Sequence, residues 1–245
     1  MSEGADTGRV NDGPDSRRVA IILLTAMVAL YLYLDWGRPR AFMALWQQHF
    51  VDAPLRGLQP FLYSSACSVL FRLALPAAVI LFVLRERLSD FGFTPKLGRR
   101  YVAIYAGILA FMLPLVWVGA GMDSFQAKYP FYPGAGRSWR LFLIYEFRYL
   151  LIFVSGEAFW RGFLAVGLSR SVGMHALSIS MVPYVMIHWT KPVPETIGAL
   201  ITAYVLGYLA VRHGTIWLGV AIHFGVAFFM DFFVLLRTGG LPTVW

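Results

Sequence analysis

The chain has 245 residues, 58% of them hydrophobic and only 14% charged. That balance excludes an ordinary soluble domain, in which about a quarter of residues are charged. The formal charge of +8 does not point to nucleic acid, because the basic residues flank apolar runs instead of forming one stripe; this pattern orients a chain in a bilayer with an anionic cytoplasmic leaflet.

The first stretch, "MSEGADTGRVNDGPDSRR", is polar and rich in Gly, Asp and Ser, and residues 1–17 read as a disordered cytoplasmic tail. Arg17 and Arg18 introduce a first span over about 18–36. The run ends in Tyr31, Tyr33 and Trp36 with no small-residue cleavage site, so a retained helix with an interfacial aromatic belt is expected, not a signal peptide. Residues 40–58 mix apolar and polar positions at helical spacing, as an interfacial helix does. Spans follow over about 60–84 and about 101–121, separated by the basic loop Arg85–Arg100. After a loop rich in Gly, Pro and Tyr, a fourth span runs from Trp139 to about Ser169, long enough to require tilt. A fifth covers about 172–189, and "TKPVPE" then breaks the chain, because two prolines in three residues cannot continue a helix interior. The sixth and seventh cover about 195–212 and 215–236.

The expected fold class is therefore all-α: a polytopic transmembrane helix bundle of about seven to eight spans, with residues 18–245 as a single membrane-embedded domain. Span parity places Arg17, Arg18, the Arg85–Arg100 loop, Arg170 and Arg212 on one side, assigned to the cytoplasm. The single Cys67 excludes an intrachain disulfide.

Ionisable side chains near the bilayer centre cost at least about 2.5–3.5 kcal/mol each and persist where they face protein or water and find partners. Arg72, Glu146, Arg148, Glu157, Arg161, His188, His223 and Asp231 are such residues here. Glu157 and Arg161 stand four apart with the carboxylate N-terminal, the favourable order for a pair on one helix face. Alone, the pair reads equally as a structural tie or as part of a site. Glu146 lies about three turns earlier on roughly the same face. Arg161 cannot exchange its proton, so its place is to hold a carboxylate. His188 ends span five, where an interfacial role is the plainer reading. Glu195 opens the next helix, a position the helix dipole favours for an acid. His223 lies two turns into the last span, with Asp231 about 12 Å farther along nearly the same face. Together a glutamate and two imidazoles can take a proton from water, which attacks a carbonyl, and return it to the leaving amine. Trp160, Tyr184 and Trp189 are candidates to line a substrate path. A zinc set of His188, His223 and a carboxylate is the competing chemistry, although no H-E-x-x-H motif is present. Transport is disfavoured because no half of the chain is repeated.

Three stretches in order, "GEAFWRG", "YVMIH" and "HFGVA", resemble the CPBP/Abi intramembrane endopeptidases, the family of the CAAX-processing proteases, over about 139–236. "LSDFGFTP" also looks like that family's pre-core loop. The family's motifs are E-E-x-x-x-R, F-x-x-x-H and H-x-x-x-N. Glu157 and Arg161 match the second Glu and the Arg, Tyr184 stands for the Phe before His188, and His223 opens the third motif. Gly156 replaces the first Glu, and Ala227 stands at the Asn position. A branch with a single Glu, of the form E-F-F-F-R-G and including myxosortase-like sorting enzymes, looks closer and shares the "H-x-x-K-P-x-P-E" turn.

The resemblance implies a multi-pass inner-membrane protein of a bacterial type. It implies an endopeptidase in which Glu157 is the base, His188 and His223 polarise the water, and Arg161 orients Glu157. Glu195 or Asp231 would stand in for the missing polar groups. No cofactor and no metal are implied, and the partners would be the lipid bilayer and a membrane-embedded or lipid-anchored protein substrate, not nucleic acid. The alternative, motivated by Gly156 and Ala227, is a catalytically inactive scaffold or immunity protein of the same fold.

Overall fold

Apolar runs and their punctuation decide where the helices fall. The computed structural model describes residues 14–50, 55, 57–95 and 98–245. It places α1 at Pro14–Asp35, α2 at Pro39–Leu45, α3 at Gln59–Leu84 and α4 at Arg99–Gly119. These are followed by α5 at Trp139–Val172, α6 at His175–Met186, α7 at Val193–His213 and α8 at Trp217–Arg237. Among the described residues there is no strand. Among the described residues six helices are long and apolar enough to cross a membrane: α1, α3, α4, α5, α7 and α8. The protein is a polytopic helical bundle.

Proline sets several starts, standing at the first or second position of α2, α3 and α7, where its fixed φ suits a helix and its missing N–H is not needed. Gly214, at φ +64°, closes α7 in the left-handed conformation that a residue with a Cβ rarely adopts.

Three expectations change. The helix begins at Pro14, so residues 14–17 belong to α1 and not to a tail; residues 1–13 lie outside the described residues. The interfacial segment 40–58 is helical only over Pro39–Leu45 and Gln47–Phe50, and residues 51–54 and 56 lie outside the described residues. The fifth span is not full length. Helix α6 has 12 residues, about 18 Å at 1.5 Å per residue against a hydrocarbon core of about 30 Å. The apolar run continues through Ile187 and Trp189, but the helix stops before them.

Several segments that span parity assigned to one side meet at one end of the bundle. Glu86 receives Arg18 Nε at 2.9 Å and Arg170 Nη1 at 3.0 Å, and Asp90 receives Arg170 Nη2 at 3.2 Å. Ile216 N–H, at the start of α8, donates to Gly92 O at 3.0 Å. The imidazole of His213 lies 4.4 Å from the Tyr101 ring. One end of the bundle thus gathers the start of α1, the 85–95 loop and the ends of α5 and α7.

Helix α5 is the centre. Of its most apolar stretch 78% is buried, against 17–44% for the other five long helices. Its middle, Ala158–Val166, is wound as a wider π-type turn and is buried throughout. Such turns recur at functional sites because they turn side chains off the regular register. The 85–95 loop presses on this segment. A Cβ at Gly162 would lie 2.8 Å from Phe91 O, and one at Gly167 would lie 2.7 Å from the Phe91 ring.

Gly162→Ala should therefore destabilise the bundle by about 1–3 kcal/mol through overpacking. Gly107→Ala, in α4 with open space around the added methyl, should be neutral or stabilising by up to about 1 kcal/mol. Thermal unfolding of both variants in one detergent checks the contrast.

Candidate active site

Ser138 opens α5, its hydroxyl accepting from Leu141 N–H at 3.2 Å; this side-chain cap satisfies one orphan donor. From there α5 runs antiparallel to α8, and the two helices meet in two polar rungs. Glu157 faces His223. Eleven residues earlier on α5, Glu146 faces Asp231, eight residues later on α8. Between the rungs lie aromatic residues, including Tyr149, Phe153, Phe224 and Phe228.

The Glu157 rung holds the most tightly packed charges. Oε1 of Glu157 accepts from His223 Nδ1 at 2.9 Å and lies 3.2 Å from Arg161 Nη1. Glu157 is 1% exposed and Arg161 2%, whereas the His223 side chain is 23% exposed. The dyad is thus closed on the carboxylate side and open on the imidazole side. Among the described residues Oε2 of Glu157 has no hydrogen-bond partner, and it lies where a Cβ on Gly219 would come within 2.8 Å. Gly219 sits one turn before His223, so the carboxylate rests against the bare backbone of α8. Sequence reasoning missed Gly219; its signal was a glycine four residues before the histidine in "GVAIH".

Arg161 is fixed on its other face by Tyr184. The guanidinium carbon lies 4.3 Å from the centre of the Tyr184 ring, and Nη2 reaches Thr202 O at 3.5 Å. Trp160 meets Tyr184 edge-on at 5.6 Å. The Tyr184 ring is also the spacer between the imidazoles, 4.7 Å from His188 and 6.4 Å from His223. His188 Nδ1 bonds the Tyr184 carbonyl at 2.8 Å. A carbonyl can only accept, so Nδ1 carries the hydrogen and Nε2 keeps its lone pair. The same argument applies to His223, whose Nδ1 faces a carboxylate. Both rings therefore leave Nε2 as the working atom.

The structure brings Glu157, Arg161, His223, Tyr184, Trp160 and His188 together. Trp160 is buried and borders a small cavity together with Arg161 and Tyr184, and Trp189 is 72% exposed at the surface. Asp231 and Glu195 do not reach Glu157. Asp231 lies in the Glu146 rung, where among the described residues neither carboxylate makes a hydrogen bond. Glu195 accepts from Tyr129 OH and from Lys191 Nζ, each at 2.6 Å, and Lys191 also donates to Tyr129 OH at 2.7 Å. Burial, the neighbouring Tyr149 and the Glu195 carboxylate push the Tyr129 phenol well above its ordinary range. Thr196 Oγ1 donates to His188 O at 2.8 Å. The "HWTKPVPE" stretch is therefore a clasp that fixes the end of α6 to the 120–138 loop. Ala227 packs in the aromatic layer between the rungs, and Gly156 faces Arg72. Among the described residues no group of three His, Cys, Asp or Glu side chains is placed to hold a metal ion, so the zinc reading has no ligand set there.

Residues 138–229 match the family model described as type II CAAX prenyl endopeptidase Rce1-like. The matched segment contains Glu157, Arg161, Tyr184, His188, Gly219 and His223. No curated protein matches the chain, and no solved structure does. The chain thus carries a Rce1-like segment, and its resemblance to the CPBP/Abi endopeptidases stands at the level of the family.

Gly219→Ala should push the Glu157 carboxylate off His223. A displacement of about 1 Å costs on the order of 100-fold in rate where geometry controls chemistry. The variant should keep its thermal midpoint within a few degrees while its turnover falls by about that factor.

Proposed function

We propose that the chain is an intramembrane endopeptidase, a multi-pass protein of a bacterial inner membrane that cuts a membrane-embedded or lipid-anchored peptide. The Rce1-like match supports a CAAX-type endopeptidase in general terms. The observation that carries the reading is the 2.9 Å bond between Glu157 Oε1 and His223 Nδ1, closed on the carboxylate side by Arg161.

That geometry favours a division of labour different from the one the motifs alone suggest. A carboxylate already committed to a guanidinium and an imidazole, and buried, is poorly placed to meet water itself. His223, partly exposed and with Nε2 free, is the group that takes the proton. Glu157 holds the ring in the tautomer that leaves Nε2 basic and balances the imidazolium that forms, the arrangement that recurs wherever a carboxylate orients a catalytic histidine. His188, whose Nε2 is likewise an acceptor, holds the second hydrogen of the water. The water oxygen bonds to the scissile carbonyl carbon as its first proton passes to His223 Nε2, and the carbonyl π electrons move to oxygen. On collapse the C–N bond breaks, and the same proton passes from Nε2 to the leaving nitrogen. Arg161 takes no part in the transfer; it fixes Glu157.

The inactive-scaffold alternative rests on Gly156 and Ala227. Neither position contributes an atom to the Glu157–His223 bond, so those departures leave this arrangement whole.

Glu157→Gln keeps the shape and reverses a hydrogen-bond role, which costs about 10⁴ in comparable dyads. Cells carrying Glu157→Gln or His223→Ala should accumulate the same uncut precursor in the membrane proteome, in amounts matching a deletion of the protein. Processing at the original rate in Glu157→Gln would refute the assignment.

A further inference from the structure

His188 stands outside any helix. Helix α6 ends at Met186 and α7 begins at Val193, so no helical ladder fixes its main chain. Local bonds do so instead. His188 N–H turns back to Val185 O at 2.9 Å. The Tyr184 carbonyl, which a further helical turn would have used, takes the ring Nδ1–H at 2.8 Å. The His188 carbonyl accepts twice, from Lys191 N–H at 2.9 Å and from Thr196 Oγ1 at 2.8 Å, which occupies both of its lone pairs.

Of these bonds only the Thr196 hydroxyl comes from α7. A threonine within a helix ordinarily turns its hydroxyl to the carbonyl four residues earlier. Here that carbonyl, Pro192 O, is 3.5 Å away, against 2.8 Å to His188 O, eight residues earlier. Nor does Thr196 cap its helix: the N-cap is Pro192, and no side chain caps that end. The hydroxyl is committed across the proline break, to the residue that carries the imidazole. Lys191, the other donor to His188 O, is braced through its side chain by Glu195 and Tyr129. We propose that Thr196 is a positioning residue: it holds the His188 main chain in place, so that the ring stays on Tyr184 O and presents Nε2 to the attacking water. This rests on the endopeptidase reading and adds to it a residue outside the three motifs. The same contact links α7 to Glu157, through His188, the Tyr184 ring and Arg161.

The test uses the full chain in detergent micelles, isotopically labelled at the nitrogens of its five histidines. Long-range proton–nitrogen spectra at about pH 8.5, where imidazole is neutral, show which ring nitrogen carries the hydrogen; a His188→Gln sample assigns the His188 signals. The unmodified chain should show the Nδ1–H form of His188 alone. Thr196→Val keeps the shape and removes the donor, and should show both forms; Thr196→Ser should restore the single one. Thr196→Ala takes the place of the valine variant if that does not fold. In cells, the precursor that accumulates in Glu157→Gln should also accumulate in Thr196→Val, its processing slowed by up to about 100-fold, and should be cut normally in Thr196→Ser. A single Nδ1–H form in the variant without the hydroxyl, or a mixture in the unmodified chain, would overturn the proposal. So would mixed forms in Thr196→Val with processing at the original rate, because the ring would then be held to no chemical end. Glu157→Gln reports on the protease reading separately: an uncut precursor there, with normal processing in Thr196→Val, sinks the role of Thr196 and leaves the protease standing.

Discussion

One buried carboxylate organises this protein. A charge as deep as Glu157 is tolerable only with an opposite charge and satisfied hydrogen bonds, and much of the surrounding architecture supplies those. Arg161 must come from the same helix face, and the π-type winding of Ala158–Val166 sets where it falls. Tyr184 must lie under the guanidinium, which brings α6 against α5. His223 must come from α8, and Gly219 must be bare so that the carboxylate can approach the helix. Gly162 and Gly167 let the 85–95 loop close over α5, which shields the segment from lipid. Removing Arg161 would leave the Glu157 charge in an apolar interior without its guanidinium partner.

The antiparallel contact of α5 with α8 departs from this logic at Glu146 and Asp231, where two buried acids face each other and among the described residues neither makes a hydrogen bond. The two rungs differ in kind. The first pairs an acid with an imidazole and a guanidinium and has an open side at His223. The second is sealed among aromatic residues. A protein that used both for chemistry would need access to both; only the first has it.

Much of the fold was legible because lipid imposes a simple rule. A run of about 20 apolar residues must become a helix, since no other backbone satisfies itself there, and the ends of α1, α3, α4, α5, α7 and α8 fell close to where hydropathy changes. The short α6 was not legible, because the sequence stays apolar through Ile187 and Trp189 after the helix has ended. The motif residues Glu157, Arg161, His188 and His223 were legible as a set, and the i,i+4 pairing is a local property of one helix. The polar stripe of His223 and Asp231 was read correctly as facing the interior, but their separation along α8 assigns them to different rungs. Glu195 looked free to reach the site and is instead held by Lys191 and Tyr129, a partner 66 residues away. Gly219 was missed for the same reason: its spacing from His223 is local, but what makes a glycine necessary there is an oxygen from another helix.

The brevity of α6 bears on how a hydrolytic centre inside a membrane obtains its reagent. An element about 18 Å long, set among neighbours of 21 residues or more, cannot match an oily layer of about 30 Å, and the layer must thin or dip beside it. His188 lies just past the end of α6, beside the clasp of Lys191, Glu195 and Tyr129, so thinning of the layer at that end would bring solvent toward the imidazoles with no continuous pore needed across the rest of the protein.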